Sequence, residues 1–329
     1  MKDATDFRTL IHNPQDCKVE FINYHRDVMS AAGIQTGLGH IDDVMIPMKP
    51  GDVVGVMARP GGGKSTFMAY LTRKTARDIA LQGRENEIAV YITYEQHVEE
   101  VESYFQLNGN GYSLTDISRG NIDLDTLISN SNQRAGLPVW IVGSSVTRRK
   151  TTPRMTFDRI VESLEYVERE WNKKPAIVAL DYVQIIPIEK AAERVTQVTE
   201  AIMRTKELAM RLACPILVGV QAGRAVDDRR VKIPNASDCQ WASAIEQVAD
   251  KLFSLWRPIL TEEEGAIVGK YQGSPVLATK TLLIAKLLKQ RFGPAGQVFH
   301  LYFEPEHLKL EEMAFNSIQG EELSNDFSG

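Results

Sequence analysis

The sequence predicts an α/β fold, with a mostly parallel sheet flanked by helices and a C-terminal β-hairpin. Three observations predict it. Short apolar runs alternate with stretches of helical periodicity from about residue 34. A glycine-rich turn joins the first apolar run to a segment of helix formers, the arrangement of a phosphate-binding loop. Beyond Ala249 the texture becomes β-rich, and two apolar runs flank Phe292 to Gly296.

Taken in order, residues 1–15 read as a polar arm. A helix is predicted from Gln15 to Ala32, with Phe21, Tyr24, Val28 and Ala31 on one stripe and Gly33 as its stop. That stripe has two readings, packing on its own domain or docking on a neighbouring subunit. Strands are predicted at 53–57, 88–93, 138–142, 176–181 and 215–220. Helical spacing recurs at Phe157, Ile160, Val161, Leu164, Val167 and Trp171, and again at Val195, Val198, Ile202, Ala209 and Leu212. Leu282–Lys289 and Val298–Phe303 form the hairpin. The acidic, polar tail, 313–329, is expected to be disordered.

Composition narrows the class. The 329 residues are 43% hydrophobic and 25% charged, an ordinary globular balance. No run of 18 apolar residues is present, and the N-terminus lacks the apolar core of a signal peptide. Cys17, Cys214 and Cys239 lie far apart, without metal-ligand spacing, so reduced thiols in a cytoplasmic protein are expected. A net charge of −5 argues against a protein coated by nucleic acid through bulk electrostatics, but not against a local grip on a strand.

Five segments carry chemistry. In Ala58-Arg59-Pro60-Gly61-Gly62-Gly63-Lys64-Ser65-Thr66 the glycines let backbone N–H groups turn toward a phosphate, and the helix that follows offers its positive end. Lys64 is placed to reach β- and γ-phosphates and Ser65 to ligate Mg²⁺. The usual pattern wants glycine where this chain has Ala58. Glu95 ends the second strand, where a carboxylate can polarise an attacking water. Asp181 ends the fourth run as the Mg²⁺ anchor. Gln221 ends the fifth as a γ-phosphate sensor, and Arg224, Arg229, Arg230 and Lys232 follow it as a candidate nucleic-acid grip, with Asp227 and Asp228 between them. Lys289 and Arg291, two apart at the hairpin tip, present cations to one face, as completion of a neighbour's site requires.

With these residues in hand the chain resembles the RecA-type motor domain of the DnaB family of hexameric replicative helicases, from Gly33 to about Leu310. The resemblance rests on Ala58 to Ser65, where that family also tolerates alanine first, and on Tyr94-Glu95, Asp181 to Gln184, Gln221 to Arg224, Ser243 to Asp250 and Lys289 to Pro294. It implies a RecA-like P-loop NTPase core at 34–312, ATP and Mg²⁺ as cofactors, and a six-subunit ring with ATP sites at subunit interfaces. Lys64, Ser65, Glu95, Asp181 and Gln221 would come from one subunit, Lys289 and Arg291 from the next. Single-stranded DNA would pass the loop at 224–232, with 5′-to-3′ movement. Residues 1–33 would supply an arm and a linker-type helix that docks on the adjacent subunit. A primase, loader or other protein partner is implied as well, although only about 33 residues precede the motor where family members carry a helical domain. The segment Asn235 to Ala242 is less basic than the family pattern, and Trp241 reads as core rather than as a base-stacking residue. The contrasting expectation is a KaiC-like oligomeric ATPase, a nucleotide-gated switch or scaffold that unwinds nothing.

Overall fold

The computed structural model describes residues 11–30, 33–107, 112–148, 155–186, 194–229, 231–239, 244–271 and 273–313. Ala31, Arg230, Trp241, Ser243 and the expected tail from residue 314 lie outside these.

The elements follow the predicted alternation. Helix α1 (Pro14–Ser30) and the short α2 (Gly39–Asp42) precede β1 (Val53–Ala58), α3 (Lys64–Leu81) and β2 (Glu87–Thr93). Helices α4 (Val98–Gln106), α5 (Leu114–Arg119) and α6 (Leu124–Ala135) lead to β3 (Val139–Val142), α7 (Phe157–Trp171) and β4 (Lys174–Asp181). Then come α8 (Arg194–Leu212), β5 (Ile216–Gln221), α9 (Ala244–Val248) and β6 (Lys251–Trp256). The chain closes with β7 (Ile267–Tyr271), β8 (Ser274–Leu277), β9 (Leu282–Gln290), β10 (Val298–Glu304) and β11 (Lys309–Glu312).

Nine strands form one sheet in the order β11-β10-β9-β6-β1-β5-β4-β2-β3. The six from β6 to β3 are parallel, while the pairings β6–β9, β9–β10 and β10–β11 are antiparallel. Parallel strands need both faces covered, and β1 shows how. Val54, Val56 and Ala58 face the layer of Phe67, Met68 and Leu71 from α3, while Val53 and Met57 face Ile160 and Leu164 of α7 and Val198 and Ile202 of α8. Gly55 lies between them, and a Cβ there would stand 2.5 Å from Leu252 Cδ1 and force that side chain to move.

Helix α7 illustrates how sequence becomes packing. Thr156 caps it, its hydroxyl accepting from the Arg159 N–H, and Asn172 stops it in the left-handed region at φ 51°. Phe157, Ile160, Leu164 and Val167 are buried as the spacing predicts, whereas Trp171 is half exposed and packs edge-on against Trp140. Each such burial contributes roughly 1.5–3 kcal/mol. In α8, Val198, Ile202 and Ala209 are buried, but Val195 in the first turn is exposed.

Strand β6, inserted between β1 and β9, is absent from the sequence-based expectation. Its pattern is masked by Lys251, which is only 3% exposed and whose ammonium is matched by Asp52 at 2.6 Å. The small β7–β8 ribbon and β11 are likewise not foreseen from the sequence.

On β10, His300 is buried and its ring stands edge-on to Tyr271. Burial pulls its pKa down to about 4. A base depressed in the folded state is protonated first in the unfolded chain, so stability is lost as pH falls from about 6.5 toward 4. The expected loss is on the order of 3 kcal/mol from this group. Urea unfolding of His300→Phe at pH 7 and pH 4.5 should show a smaller difference between the two pH values than the wild type does.

Candidate nucleotide site

The phosphate-type loop leaves β1 at the sheet's carboxyl edge. Ala58 belongs to β1, pairing with Gln221 on one side and Leu255 on the other, so its position asks for no glycine conformation. Gly61 (φ 74°) and Gly63 (φ 92°) occupy the left-handed region. Gly62 donates to the Arg59 carbonyl at 2.9 Å, and a Cβ on Gly62 would lie 2.8 Å from that same oxygen. Gly63 rests against the Phe303 ring, which a Cβ would meet at 3.0 Å. Helix α3 then starts at Lys64 with no acidic residue in its first turn. Its first N–H groups have no intrahelical acceptor, which suits an anion.

Above the loop lies a buried charge pair. Asp181, 3% exposed at the end of β4, receives the Lys64 ammonium on Oδ1 and the Tyr91 hydroxyl on Oδ2 at 2.8 Å. The ammonium also sits 4.3 Å over the Tyr182 ring. Burial pushes the Tyr91 hydroxyl well above its usual pKa, with the Asp181 carboxylate adding to the shift, so Tyr91 stays a donor. The nearby Ser65 side chain opposes that shift only weakly. Gly219 of β5 makes room for the pair: a Cβ there would stand 3.0 Å from Asp181 Oδ1 and 3.2 Å from Lys64 Cδ. Among the described residues no cluster of three His, Cys, Asp or Glu side chains could hold a metal. Mg²⁺ asks for less, since it keeps several waters and takes phosphate oxygens beside one or two protein ligands. Ser65 and Asp181 fit that need.

Two further edge residues flank this centre. Glu95 lies just past β2 and is exposed; the backbone before it is tied down by Tyr94 N–H to the Asp181 carbonyl at 3.0 Å. Gln221, at the end of β5, is clamped by Gln184. The Gln184 amide donates to the Gln221 carbonyl at 3.1 Å, and its oxygen accepts from the Gln221 N–H at 2.8 Å. Thus Lys64, Ser65, Glu95, Asp181 and Gln221 all lie at one edge of the sheet. Sequence reasoning misses Tyr91 and Gly219 as parts of this site, and finds Gln184 only as the end of the Asp181–Gln184 segment, without its clamping role.

The basic segment is less basic than its sequence. Arg229 pairs with Asp238, and Lys232 pairs with Glu262 at 2.6 Å. Arg224 is exposed, without an ion pair among the described residues. Arg230 lies outside the described residues. Arg59 of the phosphate-type loop reaches into the same segment and pairs with Asp227.

Lys289 and Arg291 lie elsewhere. Because β9 is antiparallel to β6, its end meets the amino edge of the parallel strands. Arg291 Nε is 3.2 Å from Asp250, whose other oxygen accepts from the Val53 N–H at the start of β1 and from Lys206. Lys289 donates to the Glu246 carbonyl, and partial burial together with the charge of Arg291 lowers its pKa. Val53 and Ala58 are five residues apart along β1, so roughly 17 Å of strand separates Arg291 from the phosphate-type loop of its own chain. The structure does not bring the two cations together with Lys64. Beside them, Phe292 is 93% exposed at φ 64°.

A solved ATPase domain superposes with a TM-score of 0.73 at 18% identity, covering 92% of this chain and 100% of that one. A DnaB-like replicative helicase, solved to study its interactions with primase, gives 0.70 at 18%, covering 92% of this chain and 67% of that one. Among curated proteins, the replicative DNA helicase DnaB of Mycoplasma pneumoniae is 24% identical over 281 residues, 83% of this chain and 56% of its own length. DnaB of Rickettsia prowazekii is 27% identical, over 87% of this chain and 60% of its own length. A probable plasmid replicative DNA helicase of Chlamydia psittaci is 29% identical, over 75% of this chain and 53% of its own length. The chain thus spans little more than half the length of these relatives. With the model of the DnaB-like helicase C terminal domain matching residues 33–312, the chain belongs to that family.

Proposed function

We propose that the protein is an ATP-driven ring translocase or helicase acting on single-stranded DNA. The observation that carries this reading is the separation of the site's parts between two edges of one sheet. Lys64, Ser65, Glu95, Asp181 and Gln221 stand at the carboxyl edge; Lys289 and Arg291 stand at the amino edge. A cation that is roughly 17 Å of strand away cannot serve its own phosphates. Head-to-tail association of identical subunits brings opposite edges together, and closes into a ring when the rotation permits. The exposed Phe21, Ile22 and Tyr24 of α1, and Phe292 beside Arg291, supply apolar surface for such contacts. A hexamer with α1 docked on its neighbour is the assembly this reading adopts.

In this reading the Gly61–Gly63 backbone and the start of α3 cradle the phosphates. Lys64 would leave Asp181 to neutralise β- and γ-oxygens, and Ser65 and Asp181 would hold Mg²⁺, whose chemistry when bound is to withdraw charge from the phosphate oxygens. Glu95 accepts a proton from the attacking water. Gln221, clamped by Gln184, senses the terminal phosphate. Lys289 and Arg291 of the neighbour neutralise charge that develops on the phosphoryl oxygens. DNA phosphates would take Arg224 directly and compete with Asp238 and Glu262 for Arg229 and Lys232; Arg230 belongs to the same proposed grip. A primase or loader is a proposed partner, and a cytoplasmic location the proposed setting. The switch-type alternative fits less well, since the similar curated proteins are replicative helicases.

Glu95→Gln should bind ATP normally yet hydrolyse it about 100-fold more slowly, as loss of a general base entails. Lys64→Ala should fail at binding instead. Titration with a fluorescent nucleotide and steady-state phosphate release separate the two, and full hydrolysis in Glu95→Gln would place the base elsewhere.

Single-stranded DNA should stimulate hydrolysis, and the stimulation should weaken between about 50 and 200 mM salt, because partner exchange at Arg229 and Lys232 is electrostatic. Hydrolysis indifferent to DNA at both salts would contradict the translocase reading.

A further inference from the structure

The contact between Arg59 and Asp227 joins two parts to which different ligands are assigned. Arg59 is the first residue of the turn that follows β1. Its guanidinium forms a fork with the Asp227 carboxylate, Nε to Oδ1 at 3.0 Å and Nη2 to Oδ2 at 2.7 Å, while Nη1 donates to the Ala222 carbonyl at 3.1 Å. Ala222 is the residue from which the basic segment departs. The segment returns beside it: Ala222 bridges Cys239, the Gly223 N–H donates to the Asp238 carbonyl at 2.7 Å, and Arg229 pairs with Asp238. Residues 222–239 therefore form a loop with a closed neck, and Arg59 holds both that neck and the body of the loop.

We propose that Asp227 is a positioning residue that passes the state of the phosphate-type loop, through Arg59, to the 222–239 loop. The inference rests on the reading of Arg59–Ser65 as a nucleotide site. Three features carry it. The Arg59 side chain is 25% exposed and that of Asp227 is 40% exposed, so the pair contributes little to stability. A bidentate fork instead fixes orientation, since both N–H···O bonds must be kept together. A cleft of ≈ 390 Å³ opens beside it, bordered by Arg59, Pro60, Asp227, Lys232 and Leu255, and leaves room for the loop to shift when the fork moves. Finally, the backbone on either side of Arg59 is committed. Ala58 is locked between β5 and β6, and the Arg59 carbonyl accepts from Gly62. A change in the Gly61–Gly63 turn on phosphate binding is thereby delivered to Arg59 and, through the fork, to Asp227. By linkage the coupling runs both ways, so an anion on the loop that repels Asp227 alters the phosphate-type loop in return.

Hydrogen–deuterium exchange across residues 222–239, with and without a non-hydrolysable ATP analogue and Mg²⁺, tests this in the full chain. Wild type and Asp227→Glu should show a nucleotide-dependent change in exchange of about fivefold, the lower end of ordinary coupling. Asp227→Asn should still bind the analogue, with an affinity within about fivefold of wild type by fluorescence titration as linkage allows, yet lose that change. An unaltered response in Asp227→Asn, or a wild-type loop that ignores bound nucleotide, overturns the proposal. A wild-type protein that binds no nucleotide overturns this inference and the proposed function together. One whose loop responds in the predicted way but whose hydrolysis ignores DNA removes the translocase reading alone.

Discussion

The direction of the parallel strands is the constraint from which the rest follows. All six strands from β6 to β3 end at one edge, so the glycine turn, Lys64, Glu95, Asp181 and Gln221 converge there although the sequence spreads them over more than 150 residues. Antiparallel β9, added next to β6, ends at the other edge and leaves Lys289 and Arg291 beside Asp250. Asp250 secures that placement through the Val53 N–H, Lys206 and Arg291. Both ends of β1 are thus tied to charged chemistry, one to the phosphate-type loop and one to the cations that cannot reach it.

The electrostatics of the two edges have a common feature: four of the cations assigned to the proposed site and grip are held by their own chain. Lys64 rests on Asp181, Arg291 on Asp250, Arg229 on Asp238 and Lys232 on Glu262. A buried ammonium without a partner is strongly disfavoured, so the Lys64–Asp181 pair with its Tyr91 donor satisfies both charges before any ligand arrives. Phosphate can compete because its charge is greater and the α3 N-terminus adds to the attraction. The same exchange on the 222–239 loop explains how a chain of net charge −5 can be assigned a local grip on a polyanion.

Much of this is legible in the sequence, and the failures have physical causes. Strands β1, β2, β4 and β5 announce themselves because buried parallel strands are continuous apolar runs bounded by turn residues, and the half-buried edge strand β3 keeps the same apolar run. Strand β6 does not, since it opens on Lys251, whose partner Asp52 lies 199 residues away, and Ser254 breaks its apolar run. Tyr91 reads as one more strand aromatic; only the fold brings Asp181, 90 residues on, to its hydroxyl. The sequence overstates the charge of the basic segment because two neutralising carboxylates, Asp238 and Glu262, fall outside it. The α1 stripe is visible as amphipathic, but its spacing does not say what covers it. Gln184 belongs to a segment that carries the resemblance, but neither its role nor that of Gly219 has a local signal, since one acts by clamping a neighbouring strand and the other by lacking a side chain.

The central claim, a site completed across an interface by cations from the opposite edge, has a direct test. Arg291→Ala and Lys64→Ala subunits should each be inactive alone, one lacking the cation it supplies to its neighbour and the other the lysine of its own loop. Mixed and shown by native mass spectrometry to co-assemble, they should recover hydrolysis, because some interfaces then pair an intact loop with an intact Arg291. Co-assembled mixtures that stay inactive at every ratio would contradict the account.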